Sequence, residues 1–536
     1  MEGIGLLVNT KLWLRDKTTA VLKILLVATR VSALLTVGLV MAVSFSACVS
    51  SDGPSDTRSE TEGSRKFDLV IANGRVIDPE TGLDAVRHIG IENGAIVALS
   101  ETALDISDDG LLVDAGQLVV APGFIDLHAH GQDFESNRYQ AMDGVTTALE
   151  LEVGVFPVDR WYDARAGEGL INYGASVSHQ SARVRAMRSA FASANSDGTF
   201  SLGESGDDTL YRAASDGEMS RLKDFMEQGL RAGGIGFGFG LSYTPGVSHR
   251  ELLQLFHVAA AFEVPSFVHL RSARDFAHGG PLAPFQEVIA NAVSTGAALH
   301  IVHMNSTSGT RAEEALALIR GAREHGVDVT TEAYPYTASA SLIESPLFDS
   351  WENREESVYR TLQWVNTGER LTPETFSEYR HDGGWVIMHG RSEATNEWIV
   401  SQSDVIVASD GIPFSAGRAH PRGAGTFSRV LGHYVRNRGA LSLIDAIRKM
   451  TVLPAQRLET VVPEMKQKGR IQVGSDADLT IFDPATIIDR ATYEDPDQYS
   501  AGIRHVIVAG TFVVRDGTLQ EEARPGRPLR GRHLVP

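Results

Sequence analysis

The chain has 536 residues, 43% of them hydrophobic and 22% charged, with 68 acidic against 49 basic side chains and a single cysteine. That length exceeds one ordinary core and that composition is globular, so a large domain with a smaller companion is expected and a disordered chain is excluded. The formal net charge of −19 argues against nucleic acid or anionic lipid headgroups as partners, and one cysteine leaves no internal disulfide.

At the N-terminal end, Lys11, Arg15, Lys17, Lys23 and Arg30 precede an apolar run from Val31 to Phe45, and Ser46-Ala47-Cys48 follows it. Basic, apolar and small-residue regions in that order predict a signal peptide over 1–47, the run being short for a membrane span. The end of the run resembles a bacterial lipobox. That implies a lipidated Cys48 and an exported protein, periplasmic or at the cell surface, that meets the membrane only through its lipid anchor. The other reading is a cleaved secretory signal with an incidental cysteine. Residues 48–65, rich in Ser, Asp, Thr, Glu and Gly and without periodicity, read as a flexible tether.

From 66 to 121 the pattern is short strands and tight turns: Asp68 to Ile71, Asn73-Gly74, Arg75 to Ile77, then His88 to Ile91, Asn93-Gly94 and Ala95 to Leu99. Asn-Gly between alternating apolar residues predicts a hairpin. A matching set lies within 461–525, at Asp478 to Phe482, His505 to Ala509 and Phe512 to Arg515 before Asp516-Gly517. The two sets predict one small composite β-sandwich built from both ends of the chain.

Between 122 and 460, strand-like and helix-like runs alternate, the signature of β/α units and a parallel sheet closing into a TIM-like (β/α)8 barrel. The first run, Ala121-Pro-Gly-Phe-Ile-Asp-Leu-His-Ala-His130, ends in two histidines one residue apart. On a strand, His128 and His130 face the same side and bring both imidazoles to one point. Gly144-Val-Thr-Thr147 leads into Ala148-Leu-Glu-Leu-Glu152, which puts Glu150 and Glu152 on one face. His179 ends Ala175-Ser-Val-Ser-His, and Ser193 to Gly217 reads as a loop. Ser248-His-Arg-Glu251 is the pattern of a capping box opening a helix. His269 then closes Val264-Pro-Ser-Phe-Val-His, and His303 closes Ala298-Leu-His-Ile-Val-His. His300 lies an odd number of places from His303 and is set aside as structural. A helix over 312–324 with Gly326 as its stop leads to the strand Val327 to Ala333. The stretch 341–384, with Trp351, Tyr359, Trp364 and Tyr379, breaks the rhythm and reads as an insertion at the barrel mouth, either shaping entry or serving as a structural subdomain. His389 ends Trp385-Val-Ile-Met-His, and Asp410 ends the apolar part of Asp404-Val-Ile-Val-Ala-Ser-Asp-Gly.

Four separate apolar strands that each end in His or Asp predict a shared metal site at the C-terminal edge of the barrel. Imidazole and carboxylate donors fit zinc or a neighbouring divalent ion, which lowers the pKa of a bound water and polarises a carbonyl. Asp410 is then the natural proton shuttle, or a ligand, or both. Two carboxylates inside a barrel mouth need a positive partner. Glu152, nearer the strand end, is therefore expected to be a further ligand, with Glu150 as the substitute. His179 and His389 are strand-end groups that could hydrogen-bond a substrate.

With those residues in hand, the chain resembles the amidohydrolase superfamily, in its D-aminoacylase (N-acyl-D-amino-acid deacylase) branch. The match begins at Pro122-Gly-Phe-Ile-Asp-Leu-His-Ala-His130 and continues through Gly240-Leu-Ser-Tyr-Thr-Pro-Gly246, Val268-His-Leu-Arg271, Ile301-Val-His303, Ala333-Tyr-Pro-Tyr-Thr337 and Ala408-Ser-Asp-Gly411. His420-Pro-Arg-Gly-Ala-Gly-Thr-Phe427, Lys449-Met-Thr-Val-Leu-Pro-Ala455 and Gly474-Ser-Asp-Ala-Asp-Leu479 complete it, so the resemblance covers about 67–520. It implies one or two zinc ions, His269 and His303 holding the tighter one, and His128, His130 and Asp410 framing a second. It also implies Asp410 as general acid/base, and an N-acyl amino acid as substrate, with Tyr334 and Arg422 contacting it. Arg271 and Asn305 are added as substrate-binding candidates. Two positions depart from the family pattern: Glu152 stands where a cysteine ligand is usual, and Asn305 where a lysine is frequent.

Overall fold

A computed structural model describes residues 66–188, 207–272, 280–349, 351 and 353–535. The expected signal peptide over 1–47, the expected tether over 48–65 with Cys48, and most of the 193–217 stretch lie outside them. Among the described residues no helix is long and apolar enough to cross a membrane.

The chain enters a sheet through β1 (Lys66–Asp78), β2 (Leu83–Glu92), β3 (Ala95–Ser100), β4 (Asp105–Asp114) and β5 (Val119–Pro122). Asn93 (φ 51) and Gly94 (φ 78) make the expected tight turn between β2 and β3. Asn73-Gly74 does not turn the chain. Strand β1 runs straight through it because both flanks pair with β2, and the register slips between Ile71 and Gly74. The pair is a bulge, with Asn73 taking the left-handed conformation (φ 61) that a hairpin would also have required.

Eight parallel strands follow, interrupted once. Seven are β6 (Phe124–Asp126), β7 (Val145–Val155), β8 (Asn172–Ser178), β9 (Phe237–Gly240), β10 (Ser266–His269), β11 (Leu299–Ile301) and β12 (Val329–Ala333). The interruption is a small antiparallel sheet of β13 (Ser339–Leu342), β14 (Leu362–Trp364) and β15 (Trp385–Met388), and the eighth barrel strand is β16 (Ile406–Val407). Each barrel strand pairs with its neighbour in sequence, and a bridge between Ala129 and Gly411 joins the two ends. Phe237, Phe239, Phe267, Leu299 and Ile301 are fully buried. These apolar side chains are buried because the strands are covered on both faces, and each contributes about 1.5–3 kcal/mol.

The helices are set by local signals. His249–Ala261 starts at Ser248, whose side chain accepts from the Glu251 N–H, but Glu251 does not return the bond. Its carboxylate is buried and accepts from His179 Nε2 at 2.9 Å and Arg183 Nε at 2.8 Å, so the capping box expected there is half formed. A complete one, from Ser215 and Glu218, opens Asp216–Arg231. Ala312–Glu324 stops before Gly326 (φ 84), as its sequence predicts.

The chain then returns to the first sheet as β17 (Leu479–Phe482), β18 (Ile503–Val508), β19 (Thr511–Arg515) and β20 (Thr518–Leu519). Strand β17 pairs antiparallel with β5, from Leu479 opposite Pro122 to Phe482 opposite Val119. Strands from both chain ends thus form one continuous nine-stranded sheet, and Ile71, Ile89 and Ile96 share a core with Leu479, Ile481 and Ile507.

Candidate active site

Strand β7 carries the central group. Between Glu150, which pairs with Ala175, and Val155, which pairs with Val177, four residues of β7 bulge out of register with β8. Gly154 permits this. It sits at φ 67, and a Cβ there would meet Ser176 Oγ at 2.5 Å and Ser178 N at 2.8 Å. The bulge leaves the carboxylates of Glu150 and Glu152 buried at the C-terminal mouth of the barrel.

The two oxygens of Glu152 face two groups of imidazoles. Oε2 lies 3.0 Å from His128 Nε2 and 3.1 Å from His130 Nε2, while Oε1 lies 2.6 Å from His269 Nδ1 and 2.9 Å from His303 Nε2. Asp410 Oδ1 completes the first group, 3.4 and 3.5 Å from the same His128 and His130 nitrogens. His128, His130, Glu152 and Asp410 thus form one set able to hold a metal ion, and Glu152, His269 and His303 a second. His303 (φ 30) and Asp410 (φ 53) both adopt left-handed backbone conformations just beyond their strands, a strain found at sites whose geometry is fixed by function.

The supporting contacts determine which nitrogens face inward. His128 Nδ1 donates to Glu332 Oε1 at 2.6 Å, and His130 Nδ1 donates to Glu150 Oε2 at 2.8 Å. Both Nε2 atoms are left with lone pairs, 3.2 Å apart and directed at the same space as two carboxylate oxygens. Such an arrangement is repulsive unless a cation stands among the donors, so the donor set fits a divalent ion. The same acidic surroundings favour positive charge on the imidazole itself. Burial works against a charged His128, yet Glu152, Asp410 and Glu332 together hold its pKa well above the ordinary value. Burial likewise opposes ionisation of Glu152, and the facing His128 and His269 hold its carboxyl well below the usual range. Asp410 is pushed up by burial and brought below its ordinary value by Arg422, whose Nη2 lies 2.8 Å from Oδ1.

Above these groups is a cavity of about 840 Å³ lined by His130, Glu152, His269, His303 and Asp410 at its floor. Leu347, Trp351, Trp385 and Met388, from the three-stranded interruption, form an apolar wall. Of these, Leu347 and Trp351 belong to the 341–384 stretch. It has its own core of Ile343, Phe348, Leu362, Trp364 and Phe376, and it faces the mouth.

Residues 111–514 match the model of the Amidohydrolase family. The N-acyl-D-glutamate deacylase of Alcaligenes xylosoxydans xylosoxydans is 30% identical over 516 residues, spanning 87% of this chain and 97% of the relative. The D-aminoacylase of the same organism is 29% identical over 87% of this chain and 97% of its own length. Among solved structures, N-acyl-D-glutamate deacylase from Bordetella bronchiseptica, complexed with zinc and a phosphonate mimic of the tetrahedral intermediate, aligns with a TM-score of 0.72. It is 28% identical, covering 87% of this chain and all of the other. The chain belongs to the amidohydrolase family.

In this amidohydrolase the remaining sequence candidates sit as follows. Tyr334 and Arg422 reach the site but do not line the cavity. Each is 1% exposed, the Arg422 guanidinium lies over the Tyr334 ring at 4.6 Å, and its charge is directed at Asp410. Asn305 is also buried and turned away, its amide donating to the Tyr334 carbonyl and to Asn396 Oδ1, both at 2.9 Å. Arg271 does line the cavity, with both arms on Glu287 at 3.3 Å. His179 bonds Glu251 away from the cavity, whereas His389 lines it and contacts Gln363 Oε1 at 2.8 Å. Glu332 and Asp126 went unrecognised in the sequence. Asp126 Oδ1 accepts the N–H groups of His128 and Ser409 and so ties the first barrel strand to the last, burial pushing its carboxyl up to about 6. His300, set aside as structural, bonds the other oxygen of Glu332 at 3.1 Å and so stands directly behind His128.

Proposed function

We propose that this amidohydrolase is a zinc-dependent deacylase that hydrolyses the linear amide of an N-acyl amino acid. The observation that carries the reading is the Glu152 carboxylate, one oxygen facing His128, His130 and Asp410 and the other facing His269 and His303, at the floor of a cavity with room for a small conjugate. The Alcaligenes and Bordetella relatives support both the substrate class and the metal.

His128, His130, Glu152 and Asp410 would hold one ion, and Glu152, His269 and His303 a second. Zinc in such a set lowers the pKa of a water and polarises a carbonyl. The protein's own part is positioning and proton transfer. Glu332 and Glu150 fix the ring orientations of His128 and His130. Asp410, kept ionised by Arg422, takes a proton from the attacking water and delivers it to the nitrogen as the C–N bond breaks. The apolar wall of Leu347, Trp351, Trp385 and Met388 suits the acyl chain.

The zinc-reconstituted protein, assayed on N-acyl D- and L-amino acids, dipeptides and cyclic amides, is expected to release amino acid from the N-acyl compounds. Asp410→Asn should lower kcat by roughly 10²–10⁴-fold with the fold retained. Turnover of cyclic amides alone, or undiminished turnover by the variant, would overturn the reading.

A further inference from the structure

The two donor sets that share Glu152 are not equivalent. In the first, Glu152 Oε2 lies 3.0 and 3.1 Å from the Nε2 atoms of His128 and His130, which are 3.2 Å from each other and 3.4 and 3.5 Å from Asp410 Oδ1. With bonds of about 2.0–2.1 Å, the donors of a tetrahedral zinc site stand about 3.3–3.4 Å apart. The first set is already close to that spacing. In the second, Glu152 Oε1, His269 Nδ1 and His303 Nε2 are separated by 2.6, 2.9 and 3.0 Å, the spacing of groups hydrogen-bonded to one another. An ion enters there only as the three move apart.

Donor number and charge point the same way. The first set has four protein donors, two of them carboxylates, and the second has three with one carboxylate. Arg422 draws on the Asp410 charge at 2.8 Å, which narrows the difference without removing a donor. The groups behind the rings differ more. Glu332 stands 2.6 Å from His128 Nδ1 and Glu150 2.8 Å from His130 Nδ1, and a carboxylate in that place makes the ring a stronger ligand and holds its orientation. His303 Nδ1 has the neutral hydroxyl of Ser306 instead, at 2.9 Å. The His269 side chain is 15% exposed, and among the described residues neither it nor His303 lies at ion-pair distance from a carboxylate other than Glu152. A thiolate, which selects zinc, would have favoured the second set, but position 152 holds a glutamate and the one cysteine of the chain is Cys48.

We propose that the ion bound first and more tightly is the one held by His128, His130, Glu152 and Asp410, the reverse of the order that the family resemblance implies. The proposal rests on the zinc-dependent part of the reading above and not on the substrate. Crystals of metal-free protein given one equivalent of zinc and measured at the zinc absorption edge should show the anomalous peak among His128, His130 and Asp410. A peak between His269 and His303, or equal peaks in both places, overturns the proposal. In solution, chelator competition should resolve two zinc affinities about 10- to 100-fold apart. His130→Ala is expected to abolish the tighter step, and His269→Ala to remove the weaker one while leaving the tighter Kd little changed. Loss of the tighter step in His269→Ala overturns the proposal, and the crystals of the unaltered protein decide the matter should either variant fail to fold. Zinc uptake in the stated order by a protein that turns over no N-acyl amino acid sustains the proposal and removes only the deacylase reading. A protein that takes up no zinc overturns both.

Discussion

His128 shows how a ligand's chemistry is set by a residue far away in the sequence. Glu332, in Val329-Thr-Thr-Glu-Ala333, receives the His128 Nδ1 proton on one oxygen and contacts His300 with the other. Its carboxyl is held well below the usual range, since His128 and His300 together outweigh the burial that would raise it. Glu332→Gln should therefore loosen the His128 ring and weaken zinc binding about 10- to 100-fold, read by chelator competition, with kcat recovering at saturating zinc. An unchanged zinc affinity would mean that the ring is held by packing alone. The residues pointing into the mouth were legible because a strand's period of two puts His128 beside His130 and Glu150 beside Glu152. Which glutamate faces the centre depends on the bulge at 151–154, and that depends on Gly154 meeting the neighbouring strand. Glu332 was not legible, because a lone glutamate in a β-branched run reveals nothing of a partner across the barrel. Asn305 illustrates the converse, a residue in the right place whose amide nitrogen donates to the Tyr334 carbonyl and Asn396 instead.

At the level of single elements, side-chain signals fixed where helices begin more reliably than what their carboxylates do. Ser248 caps its helix as its sequence implies, but Glu251 is drawn inward to His179 and Arg183, residues some seventy positions earlier. Ser215 and Glu218 do form the reciprocal pair, and Glu218 also takes both arms of Arg212, at 2.7 and 2.9 Å. Arg212 and the Ser215 N–H lower the Glu218 pKa from its ordinary 4.5 to about 2. A depressed carboxylate pKa contributes stability that is complete above the unfolded value and is lost as pH falls from about 4.5 through about 2. The gap in stability between the unaltered protein and Glu218→Gln, from urea unfolding, should thus be largest near pH 6 and narrower near pH 3.5. A gap that does not change between those conditions would locate the Glu218 contribution in hydrogen bonding, not in its charge.

For the whole molecule, alternation of strands and helices revealed the barrel, and paired turn signals at both ends revealed that distant strands meet. Neither signal extends past residue 525, where the chain has no periodicity. The structure gives that stretch a definite place. The Leu529 N–H donates to the Tyr173 carbonyl at 2.7 Å, the Leu529 carbonyl accepts from the Tyr162 hydroxyl at 2.6 Å, and the Gly531 and Val535 N–H groups bond the carbonyls of Gly233 and Arg231. Arg530 lies 3.9 Å over the Tyr162 ring, and Leu529 is 2% exposed. Tyr173 is near the start of β8, so the segment packs against the N-terminal face of the barrel, the face where side chains serve stability while chemistry is done at the opposite end. Removing residues 524–536 would strip a buried leucine from its site, take the 2.6 Å acceptor from the Tyr162 hydroxyl and leave backbone groups of Tyr173 without partners. The expected cost is at least about 4 kcal/mol in unfolding free energy, and Leu529→Ala alone should cost about 2–5 kcal/mol. Because none of these contacts reaches the mouth, kcat/KM per folded molecule should be unchanged in both variants, whereas the denaturation midpoint falls. A truncated protein that unfolds at the original midpoint, or one that stays folded but loses turnover, would show that the segment does not act as a clamp on the barrel floor.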